Sequence, residues 1–170
     1  MKIKLLAITG ILFCSLATTA QVNPNAIGVR LNGDGYGNGA EFSYQRGFGD
    51  KNRLELDLGG RFHRNWSHVG IFAGYHWVWN ITQGLNWYIG PGAAVGSYQS
   101  RYEKHEPYYD RGITLAIGGQ IGIEYDFSVH GAPILLSLDA RPLWEVFSYY
   151  DYNRYDHFGY NAALSVRYVF

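Results

Sequence analysis

Three groupings in this chain contain the residue types of hydrolytic or acyl-transfer chemistry, which needs a hydroxyl nucleophile, an imidazole base and a carboxylate within reach of one another. They are Ser67 with His68, Ser100 with His105, and Ser148 with Asp156 and His157. His105, Asp110, Asp151, Asp156 and His157 also offer the nitrogen and oxygen donors that a metal takes. None of these spacings matches a catalytic or metal-binding motif, and polar stretches of this kind are usually solvated loops. The expectation is a protein that is not an enzyme and holds no metal and no cofactor.

Whether any of these groups could converge depends on the elements that carry them. A chain of 170 residues has room for one domain. Lys2 and Lys4 precede the apolar run Leu5-Leu6-Ala7-Ile8-Thr9-Gly10-Ile11-Leu12-Phe13, and Thr18-Thr19-Ala20 supplies small residues for cleavage. Residues 1–20 therefore read as a secretory signal cut near Ala20, with a domain spanning 21–170. A lipid-anchored Cys14 is the competing reading, but Phe13 stands where such a signal needs a small residue. Cys14 is the one cysteine, so a chain cut after Ala20 has no disulfide, thiolate nucleophile or cysteine metal site. The 14 basic residues that balance 14 acidic ones include Lys2 and Lys4, so that chain carries a small net negative charge. No basic tract suits nucleic acid. Beyond residue 20 no apolar run approaches the roughly 18 residues of a membrane helix.

Period-two alternation of apolar and polar residues predicts strands at 27–33, 39–46, 53–62, 69–79, 85–98, 113–127, 134–146 and 159–170. In the third, Leu54, Leu56, Leu58 and Phe62 share one face, and Arg53, Glu55, Asp57 and Arg61 the other. In the last, Tyr160, Ala162, Leu164, Val166, Tyr168 and Phe170 oppose Asn161, Ser165 and Arg167. A soluble sandwich would alternate too. Length and aromatic placement decide against it: the longer runs exceed the roughly 9–11 residues that cross a bilayer at a tilt. Short turns at 47–52, 80–84 and 128–132 alternate with longer polar loops near 33–38, 63–68, 99–112 and 147–158. Trp77, Trp79, Trp87, Phe127, Tyr168 and Phe170 gather at the short-turn end, and Phe62, Trp66, Trp144 and Tyr160 at the other, as interfacial belts do. The expected fold is all-β: a closed, antiparallel, up-and-down transmembrane barrel of about eight strands. Pro91 and Pro142 are each expected to mark a bulge or bend.

With its terminal strand Leu164-Ser165-Val166-Arg167-Tyr168-Val169-Phe170, the chain resembles small outer-membrane β-barrel proteins of the OmpA/OmpX type. Gly90-Pro91-Gly92-Ala93, Ile121-Gly122-Ile123-Glu124-Tyr125 and the Ala20-Gln21 junction are similar to barrels common in Bacteroidetes. The resemblance implies the outer membrane of a Gram-negative bacterium, with lipid and lipopolysaccharide around the protein and the barrel assembly machinery as a partner. It also implies that Phe170 is the assembly signal.

The inward face of such a barrel holds Arg30, Glu41, Arg53, Glu55, Asp57, Arg61, His76, Glu124, Asp126, Asp139, Arg141, Glu145 and Arg167. Eight strands leave an interior that side chains fill, and buried charge needs a partner. An ion-pair network is the expectation, ahead of a catalytic carboxylate pair or a narrow diffusion channel. Inward positions of the fourth to sixth strands are small, among them Gly74, Gly92, Gly118 and Gly122, so the arginines should fold across onto a bare wall. Tyr102, Tyr108, Tyr109, Tyr149, Tyr150, Tyr152 and Tyr155 could form an outer-loop surface for an extracellular glycan or protein ligand, since tyrosine gives contact area at low entropic cost. An interfacial rim that only anchors the barrel explains them equally well. The leading reading is a non-enzymatic structural or surface-binding barrel, with a lipid A-modifying enzyme as the alternative and a monomer as the expected state.

Overall fold

The computed structural model describes residues 22–33, 37–63, 66–104, 106–148 and 158–170, of which 63, 66, 100–104 and 106–111 are described by their backbone alone. Eight strands form: β1 (Asn25–Gly33), β2 (Asn38–Phe48), β3 (Asn52–His63), β4 (Trp66–Thr82), β5 (Leu85–Lys104), β6 (Glu106–Asp126), β7 (Ile134–Ser148) and β8 (Phe158–Val169). Each pairs antiparallel with its neighbour in the chain, and β8 returns to β1, from Ala26 opposite Val169 to Gly33 opposite Ala162. The sheet is thus a closed up-and-down barrel with no free edge along that seam.

Alternation builds it as the sequence suggests. Arg30 and Glu55 are fully buried, whereas Leu58 and Leu164 are each 55% exposed on the outside. The barrel is therefore inverted relative to a water-soluble domain, with charge inside and an aliphatic surface outside. That surface has an aromatic end at the short turns, where Trp79 stacks on Trp87 at 4.5 Å and Tyr168 on Phe170 at 6.3 Å. At the other end Trp144 packs on Phe158 with ring centroids 4.8 Å apart.

The short turns each contain a glycine with positive φ: Gly49 at 68°, Gly84 at 79° and Gly131 at 83°. A side chain there pushes Cβ toward the following carbonyl. At Gly84 it would also meet the Asp126 carbonyl oxygen at 2.9 Å. Gly84→Ala should therefore lower stability by about 1–2 kcal/mol, and by more than Gly131→Ala, in urea titrations of detergent-solubilised protein.

Three local expectations need correction. Residues 99–112 are not a long loop: β5 and β6 continue as one hairpin to Lys104 opposite Glu106, past the last β4 pair at Ser100 and the last β7 pair at Thr114. The segment is polar throughout its sequence but rich in tyrosine, a good strand former, so polarity alone misread it. Phe127 belongs not to β6 but to a 3-10 turn, Phe127–His130, capped by Asp126, whose carboxylate accepts from the Ser128 N–H at 2.8 Å. Finally, of the bulge or bend expected at each proline, the bulge is absent. Pairing lapses between Gly74↔Gly92 and Trp77↔Ile89 beside Pro91, and between Gly118↔Leu143 and Ile121↔Ala140 beside Pro142, yet the register is unchanged across both gaps. A missing N–H removes a ladder bond without inserting a residue. The register shifts lie elsewhere, between Asn80 and Thr82 and between Leu115 and Ala116.

Candidate functional site

The lumen is where the barrel concentrates its chemistry. Its centre is Glu55 of β3, fully buried, which receives Arg141 Nη2 at 2.6 Å and Gln120 Nε2 at 3.2 Å, with a further donor from Gln45. Arg167 of β8 reaches the same carboxylate at 3.3 Å and donates to the hydroxyls of Ser43 at 2.9 Å and Ser137 at 2.7 Å. Arg141 of β7 also pairs with Asp57 and, at 2.9 Å, with Glu41. Its Nε donates to Gln120 Oε1 at 3.0 Å. Above this level Arg30 bridges Asp139 at 2.6 Å and Glu41 at 2.9 Å, with Asn161 accepting from it at 2.8 Å. Towards the short-turn end Arg53 pairs with Glu124 at 2.6 Å and donates to His76 Nδ1 at 3.4 Å.

Each of these ion pairs is made by an arginine, whose planar fork can satisfy several oxygens at once and stays charged. Every carboxylate named in them is therefore held by a cation, and none is placed as a general base. Three further inward residues extend the charged lining toward its two ends. Asp126 caps the 3-10 turn and accepts from Asn23 at 2.7 Å. Arg61 stands opposite His68 nearer the other mouth. Glu145 is half-buried opposite Ala116, beside the β7 register shift.

The wall of small residues is not bare. Phe72 and Tyr88 are inward and buried, and the reading of β4 and β5 as a row of glycines overlooked them. A Cβ on Gly92 would stand 2.4 Å from the Phe72 ring, and one on Gly122 would stand 2.6 Å from Tyr88, so each glycine makes room for a ring. The arginines then stack on these rings and not on glycine: Arg141 lies 3.8 Å from the Phe72 centroid and Arg53 4.4 Å from that of Tyr88, within cation–π range. The signal was available in the inward parity of Phe72 and Tyr88.

Beyond the Arg141 level the lumen retains a recess of about 50 Å³, bordered by Glu41, Asp57, Arg61, His68, Phe72 and Asn161. That volume suits water and is far below the roughly 300 Å³ where small-molecule pockets begin.

Ser67 and His68 do not converge, because successive residues of β4 point to opposite faces of the sheet. His105, Asp151, Asp156 and His157 lie outside the described residues, so the Ser100 and Ser148 groupings do too. Among the described residues no cluster of three or more His, Cys, Asp or Glu is arranged for a metal. Of the tyrosine surface, Tyr149, Tyr150, Tyr152 and Tyr155 lie outside the described residues, while Tyr102, Tyr108 and Tyr109 are placed by backbone on the β5–β6 hairpin, Tyr102 opposite Tyr108. Phe170 is exposed, and its N–H donates to the Asn25 carbonyl at 3.0 Å beside the β1–β8 seam.

Closure by eight antiparallel strands, a charged interior and an aliphatic exterior between two aromatic ends define the class: a small barrel of the kind found in outer membranes. The solved structure of neisserial surface protein A has this fold, with a TM-score of 0.60 at 11% identity over 86% of this chain and 95% of that one. Ail from Yersinia pestis aligns more loosely: its backbone structure in a phospholipid nanodisc gives 0.49 at 15% identity, covering 88% of this chain and 100% of that one. Its crystal structure gives 0.48 at 13% identity, covering 86% and 96%. No family model and no curated protein sequence matches the chain.

Proposed function

We propose that this protein is an outer-membrane barrel of Gram-negative bacteria without enzymatic activity, closed along its axis by the arginine–carboxylate network and acting as a structural or surface-binding element. The observation that carries this reading is the buried ladder Arg30–Glu41–Arg141–Glu55–Arg167, which crosses the lumen. Neisserial surface protein A, the neighbour with the same fold, is by its name a surface protein, which supports the same placement. Binding would fall to the outer loops, where the tyrosines could take an extracellular glycan or protein. Secretion through residues 1–20, lipopolysaccharide as surroundings, assembly guided by Phe170 and a monomeric state belong to this reading. An origin in Bacteroidetes enters this reading only through the sequence resemblance.

The deciding experiment is electrical. Purified protein in planar bilayers should show no large, stable open conductance if the pairs crossing the lumen close it as proposed. A steady porin-sized conductance would make the barrel a diffusion channel. Lipid A from cells with and without the gene should carry the same acyl pattern by mass spectrometry, and a changed pattern would make it an enzyme. Membrane insertion is checked separately: unboiled protein should migrate differently from boiled protein in detergent gels. Equal mobility with recovery in the soluble periplasmic fraction would overturn the placement itself.

A further inference from the structure

The aliphatic exterior is not evenly convex. Between the rims formed by Tyr75 and Trp144 lies a wide, open indentation of about 700 Å³, low where the outward side chains are the small Ala73, Pro91 and Ala93 over the backbone at Gly92, and walled by Leu54, Ile117 and Val146. It lies between the two seams where pairing lapses, β4–β5 beside Pro91 and β6–β7 beside Pro142. The floor is one backbone thick. On its lumen side Phe72 occupies the space that a Gly92 side chain would take, so the groove cannot relax inward without moving the ring under Arg141.

Flanking positions on the same surface, including Ile71, Ile89 and Ile121, are exposed aliphatics, so the groove continues the face that the proposed function sets against hydrocarbon. Its occupant must be apolar, since a polar group there would be desolvated without partners. A second copy of this barrel fits poorly: in a two-fold contact the same patch faces itself, and two concave patches leave their space unfilled. A flexible chain can fill it. Tyr75 sits edge-on to Trp77 at 5.6 Å on the side of the short-turn belt, and Trp144 packs on Phe158 at the other end, so the groove lies in the aliphatic zone between the two aromatic ends, where lipid acyl chains run.

We propose that this groove holds one acyl chain of a membrane phospholipid more tightly than the rest of the barrel surface does. The inference rests on the outer-membrane reading above, but its test fails differently.

Delipidated full-length mature protein in detergent is titrated with palmitoyl-oleoyl-phosphatidylethanolamine and followed by native mass spectrometry. One lipid should be retained at low molar ratio. Ala93→Phe and Ala73→Leu each fill the groove and should weaken that retention on the order of tenfold through lost methylene contact. Leu164→Phe, on β8 across the barrel, should leave it unchanged. Heat-modifiable migration establishes for each variant that the barrel has formed, and the Ala73 variant decides alone if the bulkier Ala93 change does not fold. Equal retention by the wild type and a folded groove variant would overturn the proposal, as would an unsaturable series of adducts. A wild-type dimer that Ala73→Leu converts to monomer would assign the face to self-association instead. Loss of heat modifiability in the wild type would sink the outer-membrane reading, whereas a heat-modifiable barrel without selective retention sinks only the lipid site.

Discussion

Arg141→Ala should lower the free energy of unfolding by about 3–5 kcal/mol, because it strands buried carboxylates without their cation. Arg141 alone joins Glu41, Glu55 and Asp57, and it is 1% exposed. Glu41 keeps Arg30 and Glu55 keeps Arg167, so Asp57 bears most of the loss. Adding Asp57→Asn to Arg141→Ala should therefore restore part of the stability, where a simple loss of packing would not be repaired. Denaturant titrations of detergent-solubilised protein measure both. Arg46→Ala is the reference: its 3.4 Å contact to Asn25 is exposed, and it should change stability by no more than about 0.5 kcal/mol. Equal costs at positions 46 and 141 would show that water screens the lumen and that the network does not close it.

Phe72→Ala is expected to cost a comparable amount, about 3–5 kcal/mol, for a different reason. The ring fills the space over Gly92 and forms the surface on which Arg141 lies. Removing it leaves a cavity inside a cage of strands that cannot collapse, since each is hydrogen-bonded on both sides. A double-mutant cycle between Phe72→Ala and Arg141→Ala should show a coupling of at least about 0.5 kcal/mol, as expected for residues in contact. Strict additivity would mean that the guanidinium gains nothing from the ring.

Alternation encodes which residues share a face and leaves open which of them meet across the lumen. Leu54, Leu56 and Leu58 against Arg53, Glu55 and Asp57 announce a strand with two unlike faces, and the short turns at 47–52, 80–84 and 128–132 announce where strands must reverse. Those signals are local, so the eight strands were legible. Which charge meets which was not. Arg141 and Asp57 are 84 residues apart, and their meeting depends on the stagger with which the ring closes, a quantity no single strand carries. Phe72 and Tyr88 were missed because apolar rings on an inward row contradict the rule that the inside is polar. They are tolerated there because a cation covers each of them. The β5–β6 hairpin was read as a loop from its polarity, yet strands that leave the aliphatic zone no longer need an apolar face.

The way the ring closes has a bearing on topology. Because the strand number is even, β1 starts and β8 finishes at the same rim, with Val169 facing Ala26 and Phe170 bonded to Asn25. Peptide tags added at either end would then report from one compartment, and a reporter placed within 33–38 would report from the other. The same adjacency permits circular permutation: bridging the two ends and reopening the chain at Gly49 would preserve all eight ladders while making β2 the last strand synthesised. That strand ends in Phe48, which is also an exposed aromatic. Such a permutant would separate what the barrel owes to its pairing from what it owes to the order in which its strands emerge.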